Sequence, residues 1–256
     1  MPDFLNKLIT DAEKRITAGY YNIPQTKSKQ PISLAGRIKK TTHNAIIAEI
    51  KPISPARGPL RPTLDPVETA LQLQKGGAMA LSVLTEPDNF GGSLTNLSRI
   101  RDHVELPLLM KDIIIDHKQI EAARDAGADC VLLIQAILSR TDQNQAELIK
   151  AAHSLDLEVL LEVHDEEELK QAADSDADII GINNRNLTNL QVDLNTTNRL
   201  LEKIGKIDKM IITESGFENA EDIRKLKQSN VDGFLIGSSI MLAGNIESKV
   251  REFVLA

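Results

Sequence analysis

The sequence predicts an eight-stranded parallel α/β barrel, on three observations. Eight short apolar runs rich in branched aliphatics recur along the chain, and charged amphipathic segments separate them. The length, 256 residues, matches the roughly 250 typical of one such barrel. Strand then helix, repeated, requires a parallel sheet, and closure is the simplest arrangement of eight such units. The competing arrangement is an open doubly wound sheet, and the usual glycine-rich dinucleotide turn is missing after the first run.

The runs are AIIAEI from Ala45, AMALSVL from Ala78, LPLLM from Leu106 and CVLLI from Cys130. LEVLLEV from Leu157, DIIGI from Asp178, KMIIT from Lys209 and GFLIG from Gly233 follow. Apolar runs of this length resemble buried helix, so flanks decide. Turn signals precede several of them: Gly76-Gly77, Pro107, Gly127-Ala128-Asp129 and Asn230-Val231-Asp232. Between them, HKQIEAARDAG from His117 puts Ile120, Ala123 and Ala126 on one stripe and stops at Gly127. DEEELKQAADSD opens with acids that suit the positive end of a helix dipole. NAEDIRKLKQSN has an N-cap in Asn219, an acidic first turn and a basic end. Residues 1–256 are expected to form one barrel domain, of which 1–44 is an N-terminal helical extension lying across the barrel. In that extension Phe4, Leu5, Leu8 and Ile9 share one side, and SLAGRIKKT from Ser33 forms a second short helix.

Composition narrows the function. Aromatics are 3% with no Trp, so Ile, Leu, Val and Ala must build the core, as suits close-packed parallel strands. A net charge of −7 argues against a general nucleic-acid binder but leaves room for a local anion pocket. Cys130 is the only cysteine, which excludes an internal disulfide and a thiolate-rich zinc site and fits a reducing cytoplasm, the expected location. The start, MPDFLNKLITDAEKR, carries acids and no long apolar stretch, so no signal peptide is expected, and no run is long enough to cross a membrane.

Charges sit where doubly buried strands should be apolar. The first run ends in Glu49 and Lys51, the third in Lys111, and the fifth holds Glu162; the sixth ends in Asn183 and the seventh in Glu214. These are C-terminal strand ends, the face on which barrel enzymes build their sites. Glu49 and Lys51 are two apart and so share a strand face. One such residue is ordinarily a solvated rim group; six in one topological position point to acid–base chemistry, with a structural ion-pair network of Glu49, Lys51 and Glu214 as the competing reading. A lysine pulled up by carboxylates and down by desolvation is expected to be poised as an acid near neutral pH.

After the seventh and eighth runs come ESGF (Glu214 to Phe217) and IGSS (Ile236 to Ser239). Barrels often bind phosphate there through backbone N–H groups, with glycine allowing close approach and Ser215 and Ser238 adding hydroxyl donors. Ser54 in SPARG, otherwise a Pro-bounded loop, is a further candidate donor. The five histidines, His43, His103, His117, His153 and His164, show no ligand spacing, and His164 is expected simply to open the helix after the fifth strand. No metal site, redox cofactor or other cofactor is expected.

EIKPISPARG, LLMKDIII, GADCVLLI, LLEVHDEEEL, GINNRNL, ITESGF and FLIGSSIM occur in that order from Glu49 onward, within a stretch from about Ser33 to near the C-terminus. Together they resemble the motifs of the indole-3-glycerol phosphate synthase family of tryptophan biosynthesis. The resemblance implies a small phosphorylated substrate, 1-(2-carboxyphenylamino)-1-deoxyribulose 5-phosphate. It undergoes ring closure, decarboxylation and dehydration. Lys111 is implied as the general acid at the substrate carbonyl, and Glu162 and Lys51 as base and acid for dehydration, with the division between the lysines open. Glu49 would position Lys51, and Asn183 and Glu214 would hydrogen-bond hydroxyls and intermediates. Ser54, Gly216, Gly237 and Ser238 match phosphate positions, Phe90 and Leu132 match walls of the aromatic ring, and Arg185 and Leu187 lie in the loop that follows Asn183. Ile113 departs from the family's usual Phe, and Arg57 is also unusual. The sequence does not say whether the chain associates with other enzymes of that pathway. Two other readings compete with this one. A phosphoribosylanthranilate isomerase-like barrel would carry a Cys base at the end of the first strand, where Glu49 and Lys51 stand instead. A non-catalytic anion-binding barrel would need no buried Lys111 and Glu162.

Overall fold

The computed structural model describes residues 3–24, 30–187 and 189–256. Its barrel strands are β1 (Ile46–Ile50), β2 (Ala80–Leu84), β3 (Leu108–Lys111) and β4 (Cys130–Ile134), then β5 (Glu158–Val163), β6 (Ile179–Asn183), β7 (Met210–Glu214) and β8 (Gly233–Ile236). All pair in parallel with their neighbours in sequence, and β1 closes the barrel against β8. Each of the eight apolar runs supplies one strand. The competing open sheet is therefore excluded.

Alternation along the strands divides the core in two. Ile47, Leu109, Cys130, Leu132, Leu160, Ile179, Ile212 and Leu235 pack together inside the barrel. Ile46, Ala48, Leu108, Met110, Val131, Leu133, Val159 and Leu161 pack outward under the helices. Continuing the inward parity to the C-terminal strand ends reaches Glu49, Lys51, Lys111, Glu162, Asn183, Glu214 and Gly237. A shift of one residue in any strand would turn that strand's functional group into the helix layer.

Helix ends follow the sequence signals. Asn219 and Asp222 form a capping box at the start of Ala220–Lys227, and Asp116 and Gln119 form another before His117–Asp125. Each cap contributes about 1 kcal/mol by satisfying N–H groups that the helix cannot. Ile120, Ala123 and Ala126 are fully buried, as their stripe requires.

The N-terminal segment does two separate things. Helix Phe4–Thr17 lies at the mouth of the barrel, where Phe4 and Leu8 face the central pocket and Arg15 pairs with Glu86 and Asp88 after β2. Helix Leu34–Lys40 closes the opposite end: Glu158, at the start of β5, accepts from the N–H groups of Leu34 and Ala35 and from the Ser33 hydroxyl. Leu34 and Ile38 join the interior cluster there. SPARG is not an open loop but the turn of a small antiparallel hairpin, Ile53–Ser54 against Gly58–Pro59. Among the described residues no helix is long and apolar enough to cross a membrane.

Candidate active site

A pocket of about 250 Å³ opens at the C-terminal ends of the strands. At its base the Lys111 ammonium faces three carboxylates: it donates to Glu214 Oε2 at 2.5 Å and lies 3.5 Å from Glu162 and 3.6 Å from Glu49. Lys51 pairs with the second oxygen of Glu49 at 2.5 Å, as their shared face requires. Asn183, the register partner of Glu214, faces the same space, and its side-chain oxygen accepts from the Arg185 N–H at 2.9 Å.

The charges set one another's protonation. Burial alone would strip the proton from Lys111, but Glu214, Glu49 and Glu162 together overcome it and raise its pKa. The expected balance near neutrality is thus not met in the open site: three nearby anions outweigh desolvation, and the ammonium stays charged throughout the neutral range. Burial likewise works against the charge of Glu162, but Lys111 and His164 hold that carboxyl well below the usual range. Glu49 is held low against burial by Lys51 and Lys111. Glu214 goes the other way, since burial raises it and the neighbouring Lys111 charge only partly offsets that.

Glu214 is the candidate whose location differs most from expectation. It is 1% exposed and lies outside the pocket lining, beneath Lys111. Its Oε2 accepts from Lys111, and its Oε1 is buried with no hydrogen-bond partner. Gly181 on β6 makes room for it, because a Cβ there would come within 2.3 Å of Glu214 Oε1. Gly237 does the same for Glu49, with 2.3 Å to Oε2. These two glycines are part of the charged cluster's packing, and only the tertiary fold reveals it.

Around this base the pocket has two unlike arcs. After β7, β8 and β1, adjacent in the barrel, come Ser215, Gly216, Gly237, Ser238 and Ser54, all lining the pocket. Ser215 and Gly216 both take positive φ, +66° and +99°, which turns the chain sharply over the site. The short helix Ser238–Leu242 that starts after Gly237 has no side-chain cap, so its first N–H groups are free for a ligand. On the far side Phe90, Ile113, Leu132 and Ile134, with Phe4 and Leu8 of the N-terminal helix, make an apolar wall. Arg185 and Leu187 complete the rim, and burial lowers the Arg185 pKa, with Arg57 nearby adding to the effect. Ile113 takes its place in the wall without disturbing it. Arg57, at the tip of the hairpin, pairs with Glu218 across the mouth at 2.5 Å.

Sequence reasoning missed two groups. His164 does not merely open a helix. Its ring is 12% exposed, with Nε2 3.1 Å from Glu162 and Nδ1 3.2 Å from Glu168. A signal was present, since His and Glu at i and i+4 around a helix start can meet. The second is a buried knot beside Lys111. Arg15 pairs with Glu86 at 2.7 Å and with Asp112 at 3.9 Å. Asp112 also accepts from the Thr85 hydroxyl at 2.6 Å and the Tyr21 hydroxyl at 3.2 Å. Nothing local in the sequence links Arg15 to Asp112.

A closed parallel barrel with lysines and carboxylates converging at its C-terminal mouth defines a (β/α)₈-barrel enzyme built for acid–base chemistry. A sequence model described as "Indole-3-glycerol phosphate synthase" matches residues 5–253. An indole-3-glycerol phosphate synthase of Acetivibrio thermocellus is 41% identical over 88% of this chain and 85% of its own length. One of Aliarcobacter butzleri is 42% identical over 90% and 87%, and one of Desulforamulus reducens 43% over 83% and 79%. The chain belongs to the indole-3-glycerol phosphate synthase family. A thiamine phosphate pyrophosphorylase from Pyrococcus furiosus has the same fold, with a TM-score of 0.61 at 17% identity over 86% of this chain and 96% of that one.

Proposed function

We propose that this chain converts 1-(2-carboxyphenylamino)-1-deoxyribulose 5-phosphate into indole-3-glycerol phosphate, carbon dioxide and water. The observation that carries the reading is the charged Lys111 among Glu49, Glu162 and Glu214, set between an apolar wall and a glycine–serine arc. A substrate with an aromatic acid at one end and a phosphate at the other spans those arcs, which brings its central carbonyl over the lysine.

Each step then has a donor or acceptor. The ring carbon that bears the carboxylate attacks the ribulose carbonyl carbon, and Lys111 delivers a proton to the carbonyl oxygen as the new bond forms. The carboxylate leaves as carbon dioxide, and its bonding electrons restore the aromatic ring. Glu162, held ionised, takes a proton from the adjacent methylene carbon, and the hydroxyl made in the first step departs as water with a proton from Lys51. Glu49 orients Lys51, and Asn183 hydrogen-bonds the sugar hydroxyls. The phosphate is held by backbone N–H groups near Gly216, Gly237 and Ser238, with hydroxyls of Ser54, Ser215 and Ser238. Arg185 closes the rim beside Leu187, and Phe90 and Leu132 flank the anthranilate ring. Glu214 acts through Lys111, as its place beneath the pocket suggests.

An isomerase with a cysteine base is disfavoured, because Cys130 is fully buried at the N-terminal end of β4 with its thiol pKa raised by desolvation. The test is direct. Purified protein given the substrate should generate indole fluorescence and carbon dioxide in equal amounts. Absence of both between mildly acidic and mildly basic pH would overturn the reading.

A further inference from the structure

Glu162 sits between two cations. Lys111 approaches one carboxylate oxygen, Oε2, at 3.5 Å, and His164 approaches the other, Oε1, at 3.1 Å. His164 itself lies outside the pocket lining. It follows β5 by one residue, and its ring turns back over the strand end because Glu168 pins it. Glu168 Oε2 accepts from the His164 backbone N–H at 2.7 Å and from Nδ1 at 3.2 Å. Glu168 is held in turn at the third position of helix Glu166–Ala173, where its own N–H donates to the N-cap Asp165.

We propose that His164 is a positioning residue for Glu162. As an imidazolium bridging Glu168 and Glu162, it fixes one oxygen of Glu162 and leaves the other turned toward Lys111 and the substrate. The inference rests on the proposed reaction for the meaning of Glu162, but the dyad stands on geometry. Nδ1 is within hydrogen-bond distance of Glu168, and Nε2 faces the Glu162 carboxylate at 3.1 Å as an ion-pair contact without hydrogen-bond alignment, so an anion stands on each side of the ring and favours its charged form. Burial disfavours the charge, yet the two anions prevail and carry the His164 pKa to about 10. The charged groups acting on the ring are Glu162 at the end of β5 and Glu168 on the following helix, with Lys111 on β3 behind Glu162. Helix Gln135–Leu138, packed on the same strand, brings no charged side chain.

The arrangement has a chemical use. A carboxylate touched only by Lys111 could swing with the lysine as the lysine gives up its proton. Tethering the far oxygen to a cation that does not take part in the reaction keeps Glu162 in place while Lys111 changes charge. Outer contacts that orient metal ligands change activity by about ten- to a hundredfold, and an effect of that order is expected for His164 on Glu162.

The experiment uses His164→Gln, which keeps a neutral donor near the Nε2 position, and His164→Ala, which removes it. Expected for His164→Ala is a kcat at least about tenfold lower with KM within about twofold, and for His164→Gln a smaller loss. In the Glu162→Gln background, His164→Ala should lower kcat no further than about twofold, because its effect passes through Glu162. Multiplicative losses, or equal changes in kcat and KM, would overturn the proposal and leave His164 as a helix-closing residue. A second readout separates this from the reaction itself. By carbon-13 NMR, the Glu162 carboxyl pKa should rise by about one to two units in His164→Gln. A rise in a protein that turns over no substrate supports the dyad while the reaction fails; an unchanged pKa overturns the dyad whatever the activity.

Discussion

Lys111 Nζ and Glu214 Oε2 are 2.5 Å apart, and the carboxylate is buried, 1% exposed. The lysine therefore enters the site already anchored, with its charge secured from below. Its two other carboxylate neighbours, Glu49 and Glu162, face the pocket and are free to exchange contacts when a ligand arrives.

Glu214→Gln keeps the volume and a hydrogen-bond acceptor but removes one of the three charges that raise the Lys111 pKa. An acid with a raised pKa works at every pH below that value and fails as pH rises through it. Lowering the pKa should move the basic limb of the kcat profile to lower pH than in the wild type. Superimposable profiles would show that Glu214 does not tune the lysine.

Gly181→Ala should disturb the same pair sterically. A Cβ would meet Glu214 Oε1 at 2.3 Å and Leu160 Cδ2 at 2.7 Å, so the carboxylate must shift. A stability loss of about 1–3 kcal/mol in urea should accompany a fall in kcat. Gly244→Ala, with open space at its Cβ, is the control and should change neither.

Arg15→Met should loosen the N-terminal helix. It leaves Glu86 and Asp112 buried without their cation, a change that costs about 3 kcal/mol in comparable buried pairs. Burial already raises the Asp112 pKa, so protonation can relieve part of the cost. The loss measured by urea unfolding should be larger at pH 8 than at pH 5. KM should rise too, since Phe4 and Leu8 of that helix wall the pocket.

The His164 pKa is raised from 6.5 to about 10 in the folded protein. A group raised on folding contributes stability that is complete below its unfolded value and disappears as pH climbs through the folded one. Unfolding free energy should therefore decline between about pH 6.5 and 10, and His164→Gln should flatten that decline. An equal slope in both proteins would mean that the ring is not charged in the native state.

The strands and the inward set were legible because both depend on local patterning. Apolar runs between turn signals mark strands, and parity two residues apart places Glu49 and Lys51 together whatever the rest of the fold does. Which side of the mouth floor a group occupies depends on neighbouring strands. So the sequence does not show that Gly181 on the neighbouring strand leaves space for the Glu214 carboxylate beside Lys111. The protonation of Lys111 was misjudged for the same reason, since a sequence shows carboxylates at strand ends but not that three of them converge on one nitrogen. His164 was hidden by an ordinary helix start, and the contact between Arg15 and Asp112 bridges 97 positions, beyond the reach of any local pattern.

The central claim is that Lys111 supplies the proton for ring closure. Single-turnover fluorescence with Lys111→Ala, at saturating substrate, tests it most directly. The account predicts a rate of product formation about a hundredfold or more below wild type, with substrate affinity by equilibrium titration within about threefold, because the glycine–serine arc and the apolar wall are untouched. A variant that forms indole-3-glycerol phosphate at close to the wild-type rate would contradict it.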